Sequence, residues 1–371
     1  MENNDIQTIE PIWTENFTAI AMSSSDEYVP YLSVYLTSIV ENSSDNHNYD
    51  IIVFERAIKD KNKEILKSII NKDNIVLRFF NPMEVINKYP NIKFPKNYNL
   101  ECYFRLVAPL FLKHYEKVIF TDIDLITQTD LKDLYSIKLD KSMGACQDLV
   151  YSIFLNTPNA DWMNYAKQEL ELNDPYKYFN TGVIILNIKD FNSNNLSYKL
   201  LELANKKLYR ILEQDILNKF FKDQITYIDD KWNVPILNPK YLKLKKYMPK
   251  EYNTRYEKCI NKPAIIHWAG YLKPWQNPRE QYAYLWWMYA RKSPFYEMIL
   301  ERFIRHISLD RNEIEKIINY TQNYKNIVIN YWCSKLLYFV TTGKWKQYYF
   351  EKKNMNKKKI QIIKDFRKRN K

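Results

Sequence analysis

Two carboxylates spaced two residues apart, Asp122 and Asp124, close the stretch Lys117-Val-Ile-Phe-Thr-Asp-Ile-Asp-Leu-Ile126. Val118, Ile119 and Phe120 are β-branched or aromatic and read as a buried strand. On an extended backbone that spacing sends both carboxylates to one side. They repel each other there unless a cation or a basic group lies between them. A hard divalent ion, Mg²⁺ or Mn²⁺, prefers oxygen ligands and keeps substrate phosphates in its shell, so a metal-held diphosphate would resolve the repulsion. The carboxyl end of a strand in an open α/β sheet is also where ligands bind. The plainer reading is a strand cap that opens a turn. The residues alone leave both readings open.

Four other stretches set polar groups beside apolar strands or at a helix start. Met143-Gly-Ala-Cys-Gln-Asp148 is a short strand ending in a carboxylate. Tyr178-Phe-Asn-Thr-Gly-Val183 places Asn180 and Gly182 before a strongly apolar strand. Leu212-Glu-Gln-Asp-Ile-Leu-Asn218 opens a helix with three polar groups near its N-terminal end. Ala264-Ile-Ile-His-Trp-Ala-Gly-Tyr-Leu-Lys-Pro-Trp275 is an apolar strand breaking into a loop that carries His267 and Lys273. Capping, or a satisfied core histidine, is the structural alternative at each of these places.

These groups need a sheet to hold them. Phe17–Met22, Tyr49–Phe54 and Ile75–Phe80 read as strands, with helices from about Tyr28 and over Asp60–Lys72 between them. A further helix, Glu101–Glu116, carries Arg105 and leads into the strand before Asp122. Strands alternating with helices of this length predict a mostly parallel sheet with right-handed crossovers. The polar turn Ser23–Glu27 meets a helix start, where Ser25 and Asp26 serve either as caps or as ligand contacts. No Gly-rich phosphate loop follows the first strand, which argues against a dinucleotide fold or a P-loop.

The chain has 371 residues, of which 46% are hydrophobic and 27% charged, enough for one large α/β domain and an appendage. No stretch is apolar over the ~18 residues of a membrane span. Cys102, Cys146, Cys259 and Cys333 lie far apart, so a disulfide framework or zinc site is not expected and a reducing compartment is. Met1–Asp5 is acidic and lacks a signal-peptide pattern. The net charge is +13, and +10 of it falls in Lys344–Lys371, leaving the rest near neutrality.

In order along the chain, Tyr28-Val-Pro-Tyr-Leu32, Arg105-Leu106, Phe120-Thr-Asp-Ile-Asp124, Gly144-Ala-Cys-Gln-Asp148, Tyr178-Phe-Asn-Thr-Gly-Val183, Gln214-Asp-Ile-Leu-Asn218 and His267-x-x-Gly270-x-x-Lys273-Pro-Trp275 resemble the motifs of glycosyltransferase family 8. The family comprises retaining, nucleotide-sugar-dependent enzymes and includes lipopolysaccharide galactosyl- and glucosyltransferases and the glycogenins. The resemblance runs from Phe17 to Trp275. It implies a GT-A fold, a Rossmann-like, mostly parallel mixed sheet with flanking helices, over residues 1–290. Residues 291–371, rich in Tyr, Trp and Lys, read from their own composition as a helical, basic, aromatic C-terminal region. The resemblance also implies a UDP-sugar donor with Mn²⁺ (or Mg²⁺), held by Asp122, Asp124 and His267. Ser25, Asp26, Arg105, Ile123, Gly270 and Lys273 would contact the donor, with Lys273 neutralising the leaving diphosphate. Asp148, Asn180 and Thr181 would hold sugar hydroxyls. Gln214 would lie at the β-face of the anomeric carbon, with Asp215 beside it as a fallback nucleophile. The turn after the first strand departs from the family, which usually has Asp/Asn pairs there.

An amide oxygen is a poor nucleophile, so front-side attack is expected, with Gln214 stabilising positive charge on the ring. The expected acceptor is a glycan, a lipid-linked glycan or a glycoprotein, in cell-envelope or glycoconjugate synthesis. A glycogenin-like self-glucosylating protein is the alternative, with 31 tyrosines as candidate acceptors. A nucleic-acid-binding arm is the alternative of another class, and no nucleic-acid partner is expected. Ile362, Ile363 and Phe366 among Lys359, Lys364, Arg367 and Lys368 predict a helix on an anionic membrane surface. The expected location is therefore the cytoplasm, peripheral on the inner face of the cell membrane.

Overall fold

The computed structural model of the chain describes residues 6–95, 99–222, 224–270, 272–307, 319, 323–340 and 342–369. Strands β1 (Phe17–Ser23), β2 (Asn48–Phe54), β3 (Ile75–Phe80) and β4 (Lys117–Thr121) run parallel. Beyond β4 the direction reverses. β7 (Phe179–Asn187) pairs antiparallel with both β4 and β6 (Met143–Gln147), and β8 (Thr226–Tyr227) runs parallel to β6. The seven strands lie in the order β3-β2-β1-β4-β7-β6-β8. This is the GT-A-like, Rossmann-type mixed sheet that was expected.

The sheet is buried on both faces, and strand alternation divides its residues between two cores. Ala19, Ala21, Ile52, Phe54, Val118 and Phe120 join one core with the helix Phe104–Phe111. Ile20, Met22, Ile51, Val53 and Ile119 join the other, with Leu32, Leu36 and Ile39 of the helix Val29–Asn42.

Several boundaries differ from the sequence reading. The helix expected over Asp60–Lys72 is Asp60–Lys67, ended by Ser68, whose hydroxyl donates to Ile65 O at 2.7 Å. The helix expected over Glu101–Glu116 is a 3₁₀ turn, Leu100–Tyr103, continued by Phe104–Phe111. The strand read at Val118–Phe120 is β4, and a further short strand follows it. The chain bends at Asp122–Asp124 and re-emerges as β5 (Leu125–Thr127) in a separate three-stranded sheet, β5-β10-β9. Its partners are β9 (Val234–Pro235) and β10 (Ile265–His267). The aspartates therefore stand at the corner where the chain passes between sheets.

The chain divides into two compact units, Met1–Ile299 and Leu300–Lys371. In the second, the helix Tyr324–Val340 packs along the helix Gly343–Arg369. Lys353 Nζ lies 4.4 Å from the centre of the Tyr338 ring, and Phe350 packs against the same ring at 5.7 Å. No helix among the described residues is long and apolar enough to cross a membrane.

Candidate active site

The register of the small sheet assembles the first cluster. β10 runs antiparallel to β5 and pairs His267 with Leu125, the residue after Asp124. Trp268 N–H donates to Asp124 O at 3.1 Å, and Asp122 N–H donates to Gly182 O at 2.8 Å. These bonds fix the bend, and both carboxylates converge on the imidazole although the backbone between them is not extended. His267 Nε2 is 3.6 Å from Asp122 Oδ2 and 3.3 Å from Asp124 Oδ1. The ligand atoms of the three residues all lie within 4.8 Å of one another.

Two of these atoms, His267 Nε2 and Asp124 Oδ1, are buried without a hydrogen-bond partner. Facing acceptors left so are costly unless a positive charge sits between them. Carboxylate oxygens with one imidazole suit Mn²⁺ or Mg²⁺. The residues therefore fit a divalent cation.

A cation holds the other oxygen of each carboxylate. Arg105, 3% exposed, donates through Nη2 to Asp122 Oδ1 and through Nη1 to Thr181 O. Lys273 Nζ donates to Asp124 Oδ2 and, at 2.6 Å, to Trp268 O. Burial opposes ionisation of Asp124, but Lys273 and His267 hold its carboxyl well below the usual range. Arg105 and Lys273, expected to meet the donor directly, are thus placed on the carboxylates. Ile123 is half-buried between them.

The second cluster adjoins the first along β7. Asn180 Nδ2 donates to Asp148 Oδ2 at 3.1 Å, and Gln214 Nε2 donates to the same oxygen at 3.2 Å. Gln214 Oε1 accepts from Thr181 N–H at 3.0 Å and lies 3.3 Å from the Thr181 hydroxyl. Burial raises the Asp148 carboxyl above its ordinary range against the donors Asn180, Tyr151 N–H and Gln214. Asp215 is fully buried. Its Oδ1 accepts from the Tyr178 hydroxyl at 2.7 Å, and its Oδ2 from the Tyr165 hydroxyl at 2.7 Å and Ile211 N–H at 2.8 Å.

Ser25 and Asp26 lie at the carboxyl end of β1. Asp26 accepts from Lys59 N–H at 3.0 Å and from Asn62 Nδ2 at 2.7 Å, so it caps the start of the helix Asp60–Lys67. Burial works against that carboxylate, but these donors lower its proton affinity. Ser25 Oγ accepts from Asn99 Nδ2 at 3.4 Å. A Cβ on Gly270 would meet Asn238 Nδ2 at 3.0 Å.

The sequence reading missed two residues. Glu213 Oε1 lies 3.6 Å from Arg105 Nε; burial pushes the Glu213 carboxyl up to about 7, against the pull of Arg105. It sits next to Gln214 in an already recognised motif, which was a usable signal. Asn233 Oδ1 accepts from His267 Nδ1 at 2.8 Å. It lies in an ordinary loop before β9, with no spacing that marks it.

The profile of "Glycosyl transferase family 8" matches residues 19–278. The chain belongs to glycosyltransferase family 8. It is a glycosyltransferase, and its Asp-x-Asp pair with His267 forms a cluster compatible with a divalent metal ion. A putative glycosyltransferase from Haemophilus influenzae is 27% identical over 265 residues, 70% of this chain and 73% of that protein. The structure of the bifunctional glycosyltransferase WbbM superposes with a TM-score of 0.72 at 25% identity, over 80% of this chain and 53% of the other. The galactosyltransferase LgtC, solved with donor and acceptor sugar analogues, shares the fold at a TM-score of 0.59 and 23% identity, over 75% of this chain and 96% of that one.

Proposed function

We propose that this family 8 enzyme is a retaining hexosyltransferase that takes glucose or galactose from a UDP-sugar, with Mn²⁺ or Mg²⁺ held by Asp122, Asp124 and His267. The observation that carries the reading is the pair of orphaned acceptors, His267 Nε2 and Asp124 Oδ1, facing each other in a buried corner. When bound, the cation supplies Lewis-acid stabilisation of the departing diphosphate. Arg105 and Lys273 hold the two carboxylates in place, and their charge favours the negative leaving group. In this reading Ser25, Asp26, Ile123 and Gly270 contact the nucleotide and diphosphate.

On the sugar side, Asp148, Asn180, Thr181 and Gln214 supply fixed donors and acceptors for hydroxyl groups. Asp215 has both oxygens engaged, so it anchors Tyr165 and Tyr178 and does not attack carbon. Front-side displacement fits this arrangement. The bond from the anomeric carbon to the diphosphate oxygen breaks as the acceptor oxygen bonds on the same face. The acceptor proton passes to the departing phosphate oxygen. Gln214 lies against the sugar and stabilises positive charge on the ring.

The acceptor in this reading is a glycan, lipid-linked or protein-linked, consistent with the naming of an Escherichia coli relative as a lipopolysaccharide 1,2-glucosyltransferase. A screen of nucleotide sugars for Mn²⁺-dependent hydrolysis and thermal stabilisation tests donor and metal together.

The second unit supports a membrane-surface role. Of the residues expected to face lipid, Ile363 is instead buried, and the side chains of Ile362, Phe366, Arg367 and Lys368 lie outside the described residues. The exposed apolar residues are elsewhere. Ile329, Trp332, Leu336 and Val340 share one face of the helix Tyr324–Val340, and Trp345, Tyr348 and Phe350 are exposed on the next helix. With +10 over Lys344–Lys371, this surface complements an anionic bilayer, where each Lys or Arg contributes about 1 kcal/mol.

A further inference from the structure

Asn233 links the two clusters, and hydrogen-bond direction reveals what it does. Gly182 N–H, which can only donate, lies 2.8 Å from one side-chain atom of Asn180, so that atom is the amide oxygen. Asn233 approaches the same oxygen at 2.7 Å and must present its NH₂ there. Its own oxygen therefore faces His267 Nδ1 at 2.8 Å, and that nitrogen must carry the hydrogen. Nε2, the other ring nitrogen, faces Asp122 and Asp124 and is the one placed to meet a cation. A backbone N–H on β7 thus dictates the tautomer of a histidine on β10.

The same logic runs the other way. Asn180 turns its NH₂ to Asp148 Oδ2, which also accepts from Gln214 Nε2. Asp148 Oδ1 accepts from Tyr151 N–H at 2.9 Å, and Thr181 N–H fixes the Gln214 oxygen. One directed series of hydrogen bonds joins His267 to Gln214 through Asn233, Asn180 and Asp148. Asn233 is 4% exposed, in the loop before β9, and β9 pairs with β10 through Pro235 and His267.

We propose that Asn233 is a positioning residue for both halves of the site. It keeps His267 in the Nδ1–H form, with Nε2 free to bind a cation, and it orients Asn180 toward Asp148 on the sugar side. This rests on the metal-dependent reading above, and it predicts that the two roles separate by substitution. Asn233→Asp keeps an acceptor for His267 Nδ1–H but loses the donor to Asn180. Asn233→Ala loses both.

The test uses ¹⁵N-histidine NMR on full-length, chelator-treated protein, then Mn²⁺ titration without donor, then turnover at saturating Mn²⁺. The chain has four histidines, so His267 is assigned with one variant. Wild type should show a hydrogen on Nδ1 of His267. Asn233→Ala should show mixed tautomers and on the order of 10- to 100-fold weaker Mn²⁺ binding, the usual cost of losing the partner that orients a ligating histidine. Asn233→Asp should keep the tautomer and most of the Mn²⁺ affinity while turnover falls on the order of 10-fold or more. A wild-type ring with its hydrogen on Nε2 and none on Nδ1, or wild-type Mn²⁺ affinity in a folded Asn233→Ala protein, would overturn the proposal. Equal Mn²⁺ loss in both variants would also overturn it, because the roles would not separate. A wild type with the Nδ1–H ring that binds no Mn²⁺ would refute the metal reading while supporting the tautomer assignment.

Discussion

Gly182 packs against His267 with no room for a side chain between them: a Cβ at residue 182 would sit 2.3 Å from His267 Cε1 and 2.8 Å from Nδ1. The strand that carries Asn180 thus presses its bare backbone against the imidazole ring. Gly182→Ala must push His267 away from Asp122 and Asp124 or shift β7. The expected outcome is a folded protein whose Mn²⁺ affinity drops at least ~10-fold and whose melting temperature rises less at a given Mn²⁺ concentration. Calorimetric Mn²⁺ titration and thermal melts check it; unchanged Mn²⁺ affinity would mean that the ring position does not matter to the cation.

Glu213 gives the site a pH signature. Its carboxyl, ordinarily at 4.5, is pushed up to about 7 by burial. Between those values the folded chain holds a proton that the unfolded chain has released, so stability falls as pH rises through that window. Glu213→Gln cannot titrate. The unfolding free energy of wild type minus variant should therefore decline from pH 4.5 to pH 7, by on the order of 3 kcal/mol at most. Urea unfolding of chelator-treated protein measures it. A difference that stays flat with pH would contradict the buried-carboxylate account.

Asp215 and Gln214 should behave differently. Asp215→Asn should cost about 1–3 kcal/mol of stability, because two phenols and a backbone N–H lose a charged acceptor. Gln214→Ala should lower kcat on the order of 100-fold while UDP affinity moves by no more than about threefold. Intact-mass spectrometry of quenched wild-type reactions should show no glycosyl adduct. An adduct on Asp215 would instead establish a double displacement.

Much of this was legible before the fold was known, and the reason is local. The parallel half of the sheet announces itself as alternating apolar strands and helices, and Asp122, Asp124, Asn180, Gln214 and His267 each sit at the end of a readable element. The small sheet was not legible. β5 is three residues long, too short a segment to read as a strand in its own right. The register that brings His267 opposite Leu125 is a long-range fact. Asn233 was invisible for the same reason, since its role depends on β9 lying beside β10. Arg105 and Lys273 were found, but their first partners are the carboxylates, which no spacing along the chain specifies.

The second unit makes a separate prediction. Full-length protein should co-sediment with phosphatidylglycerol vesicles and be released as salt rises, because the attraction is screened. Trp332→Ser with Leu336→Ser should weaken binding several-fold without changing hydrolysis of the donor, since each removes exposed apolar surface from the helix Tyr324–Val340. Binding that is insensitive to both salt and these substitutions would remove this surface from consideration.

The central claim is that Asp122, Asp124 and His267 hold a divalent cation that a nucleotide-sugar donor requires. Binding of UDP to wild type and to Asp124→Asn, by calorimetry with Mn²⁺ and with excess chelator, tests it most directly. The account predicts Mn²⁺-dependent binding in wild type, and weak, Mn²⁺-independent binding in an Asp124→Asn protein that melts cooperatively and has lost turnover. Tight UDP binding by wild type in chelator, or full Mn²⁺-dependent binding and turnover in Asp124→Asn, would contradict it.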